Sequence, residues 1–107
     1  MKHGRGRGTR LGFPTANLAI VAPLPAGIYA ATVVVGNQTV PAAGYIHPAE
    51  PTILEVHLLN WHENLYDVTI TVELRYWLRA HREFLSAQAL IAQIYQDIAQ
   101  VQQCLQV

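Results

Sequence analysis

The sequence predicts a small, mainly β domain whose antiparallel strands are closed or covered by one C-terminal helix. Residues 52–59 and 68–79 alternate apolar and polar side chains, as strands with one buried face do. The last segment of the chain changes to apolar residues at three- and four-residue spacing, which is typical of a helix with one buried face. Strands followed by a single helix favour a small, barrel-like sheet against which that helix packs.

The first half of the chain is predicted to hold a loop and one hairpin. Residues 1–18 are rich in glycine and show no periodicity, so we expect a loop there. Residues 28–35 are rich in β-branched side chains and predict a strand. Gly36 and Asn37 suit the tight turn of a hairpin. Pro41 lies in the returning strand and cannot donate a backbone hydrogen bond, which predicts a strand that is short or at a sheet edge.

The second half is predicted to hold a proline-containing loop at residues 45–52, two strands and the helix. In the first of these strands Glu55 and His57 share the face opposite to Leu54, Val56 and Leu58. The second strand has an apolar face made of Val68, Ile70, Val72 and Leu74. The helix has an apolar stripe made of Leu90, Ile91, Ile94, Ile98, Val101 and Leu105. Ser86 is the predicted N-cap of this helix, since its hydroxyl can accept a backbone N–H.

Composition limits the possible classes of protein. A chain of 107 residues, 51% hydrophobic and 13% charged, is expected to form one domain over residues 1–107 with a packed core. The zero net charge argues against protein-wide attraction to nucleic acid or acidic membranes. No apolar run reaches the length of a membrane span, and the single Cys104 excludes an intrachain disulfide. We therefore expect a cytoplasmic domain without nucleic-acid or membrane partners, and a monomer is compatible with the sequence.

The opening stretch, "GRGRGTRLGFPTANL" at residues 4–18, is locally basic although the chain is neutral. Three of the seven basic residues lie in it and a fourth, Lys2, just precedes it, and no acid occurs before Glu50. Glycines let backbone N–H groups approach a ligand closely, and neighbouring arginines add positive charge, so this stretch suits a polyphosphate. Two alternatives stay open at this point: a flexible tail and a short RNA-binding arm.

Three further side chains are candidates for chemistry. Thr15 and Asn17 offer neutral oxygens that suit Mg²⁺, although the same residues could bond local backbone in a turn. Glu55, in an apolar strand, is a candidate general base. The alternative for Glu55 is a cross-strand ion pair with Arg75 or Arg79. His57 is expected to be a packed or surface residue. The other histidines considered show no metal-ligand spacing: His47, His62 and His81.

The order of motifs along the whole chain resembles the riboflavin kinase family, in particular the kinase module of bacterial bifunctional riboflavin kinase/FAD synthetases. The glycine-rich stretch that ends in "PTAN" is followed by "PAGIYAATV", then "EVHLLNWHENLYDVTITVELRYWLR", then "REF" and a helix that contains "IYQDI". The resemblance implies a six-stranded Greek-key β-barrel with one C-terminal α-helix. It also implies transfer of the γ-phosphate of ATP to the ribityl 5′-hydroxyl of riboflavin, which yields FMN and ADP.

The resemblance also implies roles for individual residues. Glu55 is the expected catalytic base, and Thr15 and Asn17 are the expected ligands of Mg²⁺ and phosphate. Arg79 and Phe84 are expected near the flavin. The remaining expected cofactor-binding residues belong to the phosphate loop and the motif after it: Gly4, Gly6, Arg7, Gly8, Gly12 and Pro14.

Two departures from the family pattern yield further expectations. The segment "AAGYIHPAEPT" is shorter than the family's flap and lacks its Asn-Ile-Gly, so flap closure is expected to differ. Only three residues precede Gly4, so the first strand of the barrel is expected to be missing or frayed, and catalysis to be weak. The adenylyltransferase half is not in this sequence, so FAD synthesis is not expected of it. A flavin- or nucleotide-binding module with little or no turnover is the alternative to an active kinase.

Overall fold

A computed structural model of the chain describes residues 2–3, 15–59, 61 and 69–105, and these contain six strands and one helix. The strands are β1 (Lys2–His3), β2 (Thr15–Ala19), β3 (Gly27–Val35), β4 (Gln38–Ile46), β5 (Ile53–Leu58) and β6 (Ile70–Arg79), and the helix is α1 (Ala87–Leu105). The strands predicted at residues 28–35, 52–59 and 68–79 are confirmed as β3, β5 and β6. The predicted C-terminal helix is confirmed as α1.

The six strands form one antiparallel sheet in the order β1-β2-β5-β4-β3-β6. Strands β3, β4 and β5 are consecutive neighbours, and β6 returns to pair with β3, so these four strands form a Greek key. The predicted mainly β, Greek-key fold with one helix is therefore confirmed. The described pairings leave β1 and β6 as the two ends of the sheet, so closure into a barrel stays a prediction. The first strand, expected to be missing or frayed, is two residues long and pairs with β2.

The prediction that residues 1–18 form a loop is wrong from Thr15 onward. Strand β2 pairs with β5 over five residues, which gives the backbone of this segment its hydrogen bonds. Ala16 is buried in the core and Leu18 packs against it, whereas Thr15 and Asn17 alternate with them. A five-residue alternation of small side chains is too short to stand out as periodicity in the sequence.

The prediction of a short or edge strand at Pro41 is also wrong, because β4 has nine residues and lies between β3 and β5. The carbonyl of Pro41 accepts a hydrogen bond from the N–H of Leu59, 2.9 Å away, on the β5 side. In a strand the N–H and C=O of one residue point to the same side. The N–H group that Pro41 lacks would therefore point towards the end of β5. The pairing between β4 and β5 begins only at the next residue, Ala42, opposite Leu58. No hydrogen bond to β3 is lost.

The sheet has an apolar inner face and a second face that the helix covers. The inner face carries the main cluster of buried side chains, among them Val33, Val56 and Leu58. On the other face, Ala30 and Leu59 are buried together with Val101 of α1. The small side chain of Ala30 lets the helix approach the sheet closely. Among the described residues, no helix is both long and apolar enough to cross a lipid bilayer.

Helix α1 begins as the sequence predicts. The hydroxyl of Ser86 accepts a hydrogen bond from the N–H of Ala89 at 3.1 Å, which confirms Ser86 as the N-cap. Of the predicted apolar stripe, Ile94 and Val101 are buried and Ile91 is exposed. The sequence prediction missed Asp97, which is buried within the same stripe.

At two positions the backbone has a positive φ angle that favours glycine. Gly36 adopts a φ of 59° in the two-residue turn between β3 and β4, which confirms the predicted hairpin. Gly27 adopts a φ of 139° where β3 meets the end of β6. A Cβ atom at Gly27 would collide with the carbonyl oxygen of Arg79 and would lie 2.7 Å from Nε1 of Trp77. Any larger residue at this position would separate the two strands.

Candidate active site

The pairing of strands places two of the candidate residues, Asn17 and Glu55, in one row across the helix-covered face. Asn17 of β2 lies directly opposite Glu55 of β5, and Glu55 lies directly opposite Tyr45 of β4. Directly opposed residues of an antiparallel pair project their side chains to the same face, with Cβ atoms about 4.5–5.5 Å apart. In the next row Thr15 lies opposite His57. The sheet therefore brings the "PTAN" and "EVH" motifs together, although 37 residues separate Asn17 from Glu55 in a count taken from the sequence.

Glu55 is held by a neighbouring histidine. Its Oε1 atom lies 3.0 Å from Nε2 of His57, which is two residues along the same strand and on the same face. The side chains of Glu55 and His57 are only 16% and 12% exposed. A ring N–H of His57 that donates to Oε1 fixes the carboxylate and leaves its second oxygen directed elsewhere. The sequence prediction of His57 as an ordinary packed or surface residue missed this contact.

The alternative of an ion pair between Glu55 and Arg75 or Arg79 is wrong. Strand β5 lies between β2 and β4, so β6, which carries both arginines, is not its neighbour. The Nη1 atom of Arg75 donates to Oε1 of Glu73 at 2.7 Å. Arg79 pairs with Asp97 of the helix. Strand pairing and the contact with His57 therefore place Glu55 in the site.

The Oδ1 atom of Asn17 is buried and has no hydrogen-bond partner among the described residues. A buried amide oxygen without a partner costs free energy, of the order of 1–3 kcal/mol, unless a ligand, ion or water satisfies it. Mg²⁺ binds through oxygen ligands, and a side-chain amide oxygen is one of the groups that can serve. Asn17 therefore fits the metal that the family resemblance implies, and the turn alternative for this residue is wrong because Asn17 lies within strand β2.

A cavity of about 30 Å³ lies between the sheet and helix α1 beside Glu55. Glu55, His57 and Tyr45 line it from the sheet, and Ile94, Asp97 and Ile98 line it from the helix. Its volume suits one or two water molecules and is far below the roughly 300–1,000 Å³ of small-molecule sites. Ionisable groups of the sheet and the helix therefore border the same small space.

Asp97 anchors this helix to the end of β6. Its two carboxylate oxygens accept hydrogen bonds from Nε and Nη2 of Arg79 at 2.8 and 2.7 Å, in a two-bond geometry. The amide of Gln93 donates to the same carboxylate at 3.0 Å. The guanidinium thus balances the charge of Asp97, which also lines the cavity with Glu55. Arg79, a predicted cofactor-binding residue, has its guanidinium occupied by the helix.

Phe84 lies in a second, larger concavity of about 370 Å³ at the start of the helix. His47 and His81 line one part of this cleft, and Phe84 and Leu90 line another. Tyr45 connects the cleft with the small cavity, because it lines the cavity and its hydroxyl lies 2.7 Å from Nδ1 of His81. The two concavities are therefore separated by about the width of one side chain.

Several predicted site residues lie outside the described part of the chain. These are Gly4, Gly6, Arg7, Gly8, Gly12 and Pro14. Thr15 is described by its backbone position in β2 alone. The assignment of the phosphate loop thus stays a prediction, and so do the roles of Glu55, Asn17, Arg79 and Phe84 as site residues.

The fold is a mainly β Greek key with one helix, and its candidate site places a carboxylate held by His57 beside a buried amide oxygen that has no partner among the described residues. The family model described as "Flavokinase: Riboflavin kinase" matches residues 1–105. The chain belongs to the riboflavin kinase family, a family of phosphotransferases.

Relatives with curated names agree with this family. The chain is 36% identical over 107 residues to a bifunctional riboflavin kinase/FMN adenylyltransferase of Pseudomonas fluorescens, a match that covers 91% of this chain and 34% of that protein. It is 32% identical to the RNA-binding riboflavin kinase RibR of Bacillus subtilis, over 90% of this chain and 45% of that protein. The chain thus spans about a third to a half of the length of these relatives.

The fold also has a counterpart among solved structures. A crystal structure from Streptococcus pneumoniae, described as a macrolide-efflux protein, superposes with a TM-score of 0.75 and 25% sequence identity. The match covers 92% of this chain and 35% of that one. This likeness supports the fold, and the efflux role named for that protein is not transferred to this chain.

Proposed function

We propose that this chain transfers the γ-phosphate of ATP to the ribityl 5′-hydroxyl of riboflavin and so makes FMN and ADP. Membership of the riboflavin kinase family supports this reaction. The observation that carries it is the direct opposition of Asn17 and Glu55 across β2 and β5, with the Asn17 oxygen buried and unsatisfied. Phosphoryl transfer depends on positioning and charge neutralisation, and it needs one group to accept the hydroxyl proton.

Glu55 is the proposed general base. Its carboxylate takes the proton of the 5′-hydroxyl as the oxygen attacks the γ-phosphorus and the bond to the β-phosphate oxygen of ADP breaks. His57 is a positioning residue, because its hydrogen bond at 3.0 Å holds Oε1 of the carboxylate. Partial burial of both side chains limits competing water, which would otherwise be phosphorylated in place of riboflavin.

Thr15 and Asn17 are the residues that would hold Mg²⁺. When bound, the ion would neutralise charge on the transferred phosphate group. The proposed phosphate loop is made of Gly4, Gly6, Arg7, Gly8 and Gly12, and Pro14 leads from it into β2. Strand β2, Thr15–Ala19, follows Pro14 directly and pairs with β5, the strand that carries Glu55. Backbone N–H groups of such a loop can cradle a polyphosphate.

Riboflavin is proposed to place its ring in the 370 Å³ cleft and to direct its ribityl chain past Tyr45 towards Glu55. The cleft volume suits a ligand of this size, whereas the 30 Å³ cavity does not. Phe84 offers an aromatic ring in this cleft. Arg79 acts through Asp97, because their ion pair fixes the position of the helix against the sheet. Cytoplasmic localisation is part of the proposal, since the reaction consumes ATP.

The binding-module alternative has one observation in its favour. The connection between β4 and β5 consists of six residues, 47–52, so the flap that would close over the ligands is short. A short flap lowers the exclusion of water, which would reduce turnover more than binding. The expected lack of a nucleic-acid partner also stays a prediction, because one relative is named as an RNA-binding riboflavin kinase.

One experiment separates the kinase from the binding module. The protein is incubated with riboflavin and Mg-ATP, and FMN is measured by chromatography, with Glu55→Gln as the control for contaminating kinase. We expect FMN in the wild-type sample and at least about a hundredfold less in the variant. Saturable riboflavin binding without FMN would identify a binding module. Equal FMN in both samples would contradict the assignment of Glu55.

A further inference from the structure

We propose that His47, His81 and Glu83 form a binding site for a divalent transition metal ion of the Zn²⁺ class, separate from the proposed Mg²⁺ ligands. One potential ligand atom from each of these side chains lies within 4.8 Å of the other two. Two imidazoles and a carboxylate are a donor set that suits Zn²⁺ and does not suit Mg²⁺, which prefers oxygen. The proposal does not depend on kinase activity.

Sheet topology explains why these residues meet. Strands β4 and β6 flank β3 on its two sides and both run antiparallel to it. They therefore run parallel to each other and end at the same edge of the sheet, at Ile46 and Arg79. His47 directly follows β4, and His81 is the second residue after β6. Glu83 lies two residues beyond His81, in the irregular segment between β6 and α1, and its carboxylate contacts the ring of His81.

The contacts of His81 are those of a ligand that is already oriented. Its Nδ1 atom lies 2.7 Å from the hydroxyl of Tyr45, and its Nε2 atom lies 3.0 Å from Oε1 of Glu83. Metal-binding histidines usually form such a hydrogen bond with the ring nitrogen that does not hold the metal. If Nδ1 carries the ring proton and donates it to the Tyr45 hydroxyl, the lone pair of Nε2 is directed at the Glu83 carboxylate. A cation between Nε2 and Oε1 of Glu83 then takes the place that a proton would otherwise occupy between them.

His47 is the third proposed ligand, and it must give up one hydrogen bond to bind the metal ion. Its ring centre lies 4.5 Å from that of His81, and its Nδ1 atom accepts a hydrogen bond from the N–H of Ala49 at 3.0 Å. Coordination through either nitrogen breaks this bond, because Nδ1 must then hold the metal or carry the ring proton. The bond lies in an exposed turn, where water can replace it.

The ligand atoms must also move closer together. Zn–N distances of about 2.0–2.1 Å in a tetrahedral site require donor atoms about 3.3 Å apart. The side chain of Glu83 is 87% exposed, so it can rotate towards the two rings. Three protein ligands would leave a fourth position for water, and all three residues line the cleft of about 370 Å³.

The test uses Co²⁺, whose visible absorption reports coordination, and Zn²⁺ titrated by calorimetry, both with the full chain and without nucleotide. We expect one ion per chain and the intense visible bands of a four-coordinate site. His47→Gln and His81→Gln are expected to weaken binding by about a hundredfold or more, and Glu83→Gln also weakens it. Tyr45→Phe keeps all three ligands but removes the contact to His81, and we expect a loss of about 10–100-fold.

Matched controls locate the ion. His57→Gln and Asn17→Ala alter the candidate active site, and Glu73→Gln alters an exposed carboxylate that pairs with Arg75 on β6. All three are expected to keep wild-type affinity for Co²⁺. Zn²⁺ should raise the thermal midpoint of these controls but not that of His81→Gln, whose metal-free midpoint should match the wild type. Wild-type affinity in His81→Gln, loss of binding in His57→Gln or Asn17→Ala, or no binding by the wild type would overturn the proposal.

Discussion

The two faces of strand β5 differ in what they contribute to the protein. On the inner face, Leu54, Val56 and Leu58 are buried in the main apolar cluster. On the other face, Glu55 and His57 are partly buried, hydrogen-bonded to each other, and adjacent to the cavity beneath the helix. Consecutive residues of one six-residue strand thus serve either the core or the candidate site.

This difference shows how so small a domain can hold polar groups away from bulk water. The inner face supplies apolar burial, which stabilises the sheet. The other face is covered by a helix that is itself fixed by the Arg79–Asp97 ion pair. Changes on one face should therefore alter stability with little effect on chemistry, and changes on the other face should do the reverse. The following predictions test this separation, from the largest expected effect to the smallest.

Glu55→Gln should give the largest effect on catalysis among changes on the helix-covered face of the sheet, which is called the reaction face below. The amide keeps the size of the side chain, and its oxygen can still accept the hydrogen bond from His57, but it cannot accept the substrate proton as a carboxylate does. We expect kcat to fall by about 10²–10⁴-fold. The free energy of unfolding, measured with urea, should change little.

Glu73→Gln is the matched control, because Glu73 is an exposed carboxylate on β6 that contacts Arg75. Its kcat and its unfolding free energy should both equal those of the wild type. A Glu55→Gln enzyme with wild-type kcat would remove Glu55 from the mechanism. A large loss of stability in Glu55→Gln would show that the two faces of β5 are not separate.

Leu58→Ala should give the largest effect on the inner face. Leu58 has no exposed surface, so its truncation leaves a cavity in the main cluster. We expect the free energy of unfolding to fall by about 2–5 kcal/mol in urea titrations. The kcat per folded molecule should stay close to that of the wild type.

Leu85→Ala is the control for this truncation, since Leu85 is fully exposed at the end of the segment before α1. Its unfolding transition should coincide with that of the wild type. If Leu58→Ala lowered kcat per folded molecule as well as the free energy of unfolding, the inner face would contribute to the site.

Most elements that sequence reasoning predicted correctly show a periodic pattern that extends over several repeats. Strands β5 and β6 and helix α1 show it, whereas β3 was predicted from its β-branched composition. Strand β2 was missed because five residues give too few repeats. The prediction of a short or edge strand from Pro41 was wrong because its effect depends on which neighbouring strand its missing N–H would face. Asp97 did leave a signal, as one acid at helical spacing between Ile94 and Val101.

The candidate site was predicted only in part, because its contacts depend on which strands are neighbours. Glu55 and Asn17 were proposed separately, through the family resemblance, and only the β2–β5 register places them opposite each other. His47 and His81 are separated along the chain by two strands. Their proximity follows from the Greek key and leaves no spacing signal in the sequence.

Asn17→Ala sharpens the comparison by removing one proposed metal ligand from the reaction face. We expect the dissociation constant of Mg-ATP to rise by about tenfold or more, because the proposed ion would bind through this oxygen. The dissociation constant of riboflavin should change by less than about twofold. Calorimetric titration of each ligand separately provides the measurement.

The stability of Asn17→Ala supplies the control. The substitution removes a buried oxygen that has no partner among the described residues, so the free energy of unfolding without ligand should be unchanged or higher. Equal weakening of both ligands together with lower stability would point to a folding defect and not to metal ligation.

Tyr29→Phe tests the smallest effect, at a polar atom on the inner face. Tyr29 is 8% exposed within the main cluster, and its hydroxyl donates a hydrogen bond of 2.6 Å to the carbonyl of Pro25. Loss of this bond should lower the free energy of unfolding at pH 7 by about 0.5–1.5 kcal/mol. The kcat should not change, since the phenol lies on the face opposite to Glu55.

The same residue predicts a pH dependence. Burial raises the pKa of the Tyr29 phenol above the value of about 10 that tyrosine has in an unfolded chain. Between these two pKa values the unfolded state has lost a proton that the folded state retains, so wild-type stability must fall as pH rises above about 10. Phenylalanine has no such proton, and the stability gap between wild type and Tyr29→Phe should therefore narrow as pH rises above about 10. If the free energies of unfolding of the wild type and Tyr29→Phe run parallel against pH, the Tyr29 phenol ionises equally in the folded and unfolded states. Water would then reach the inner face more than its burial indicates.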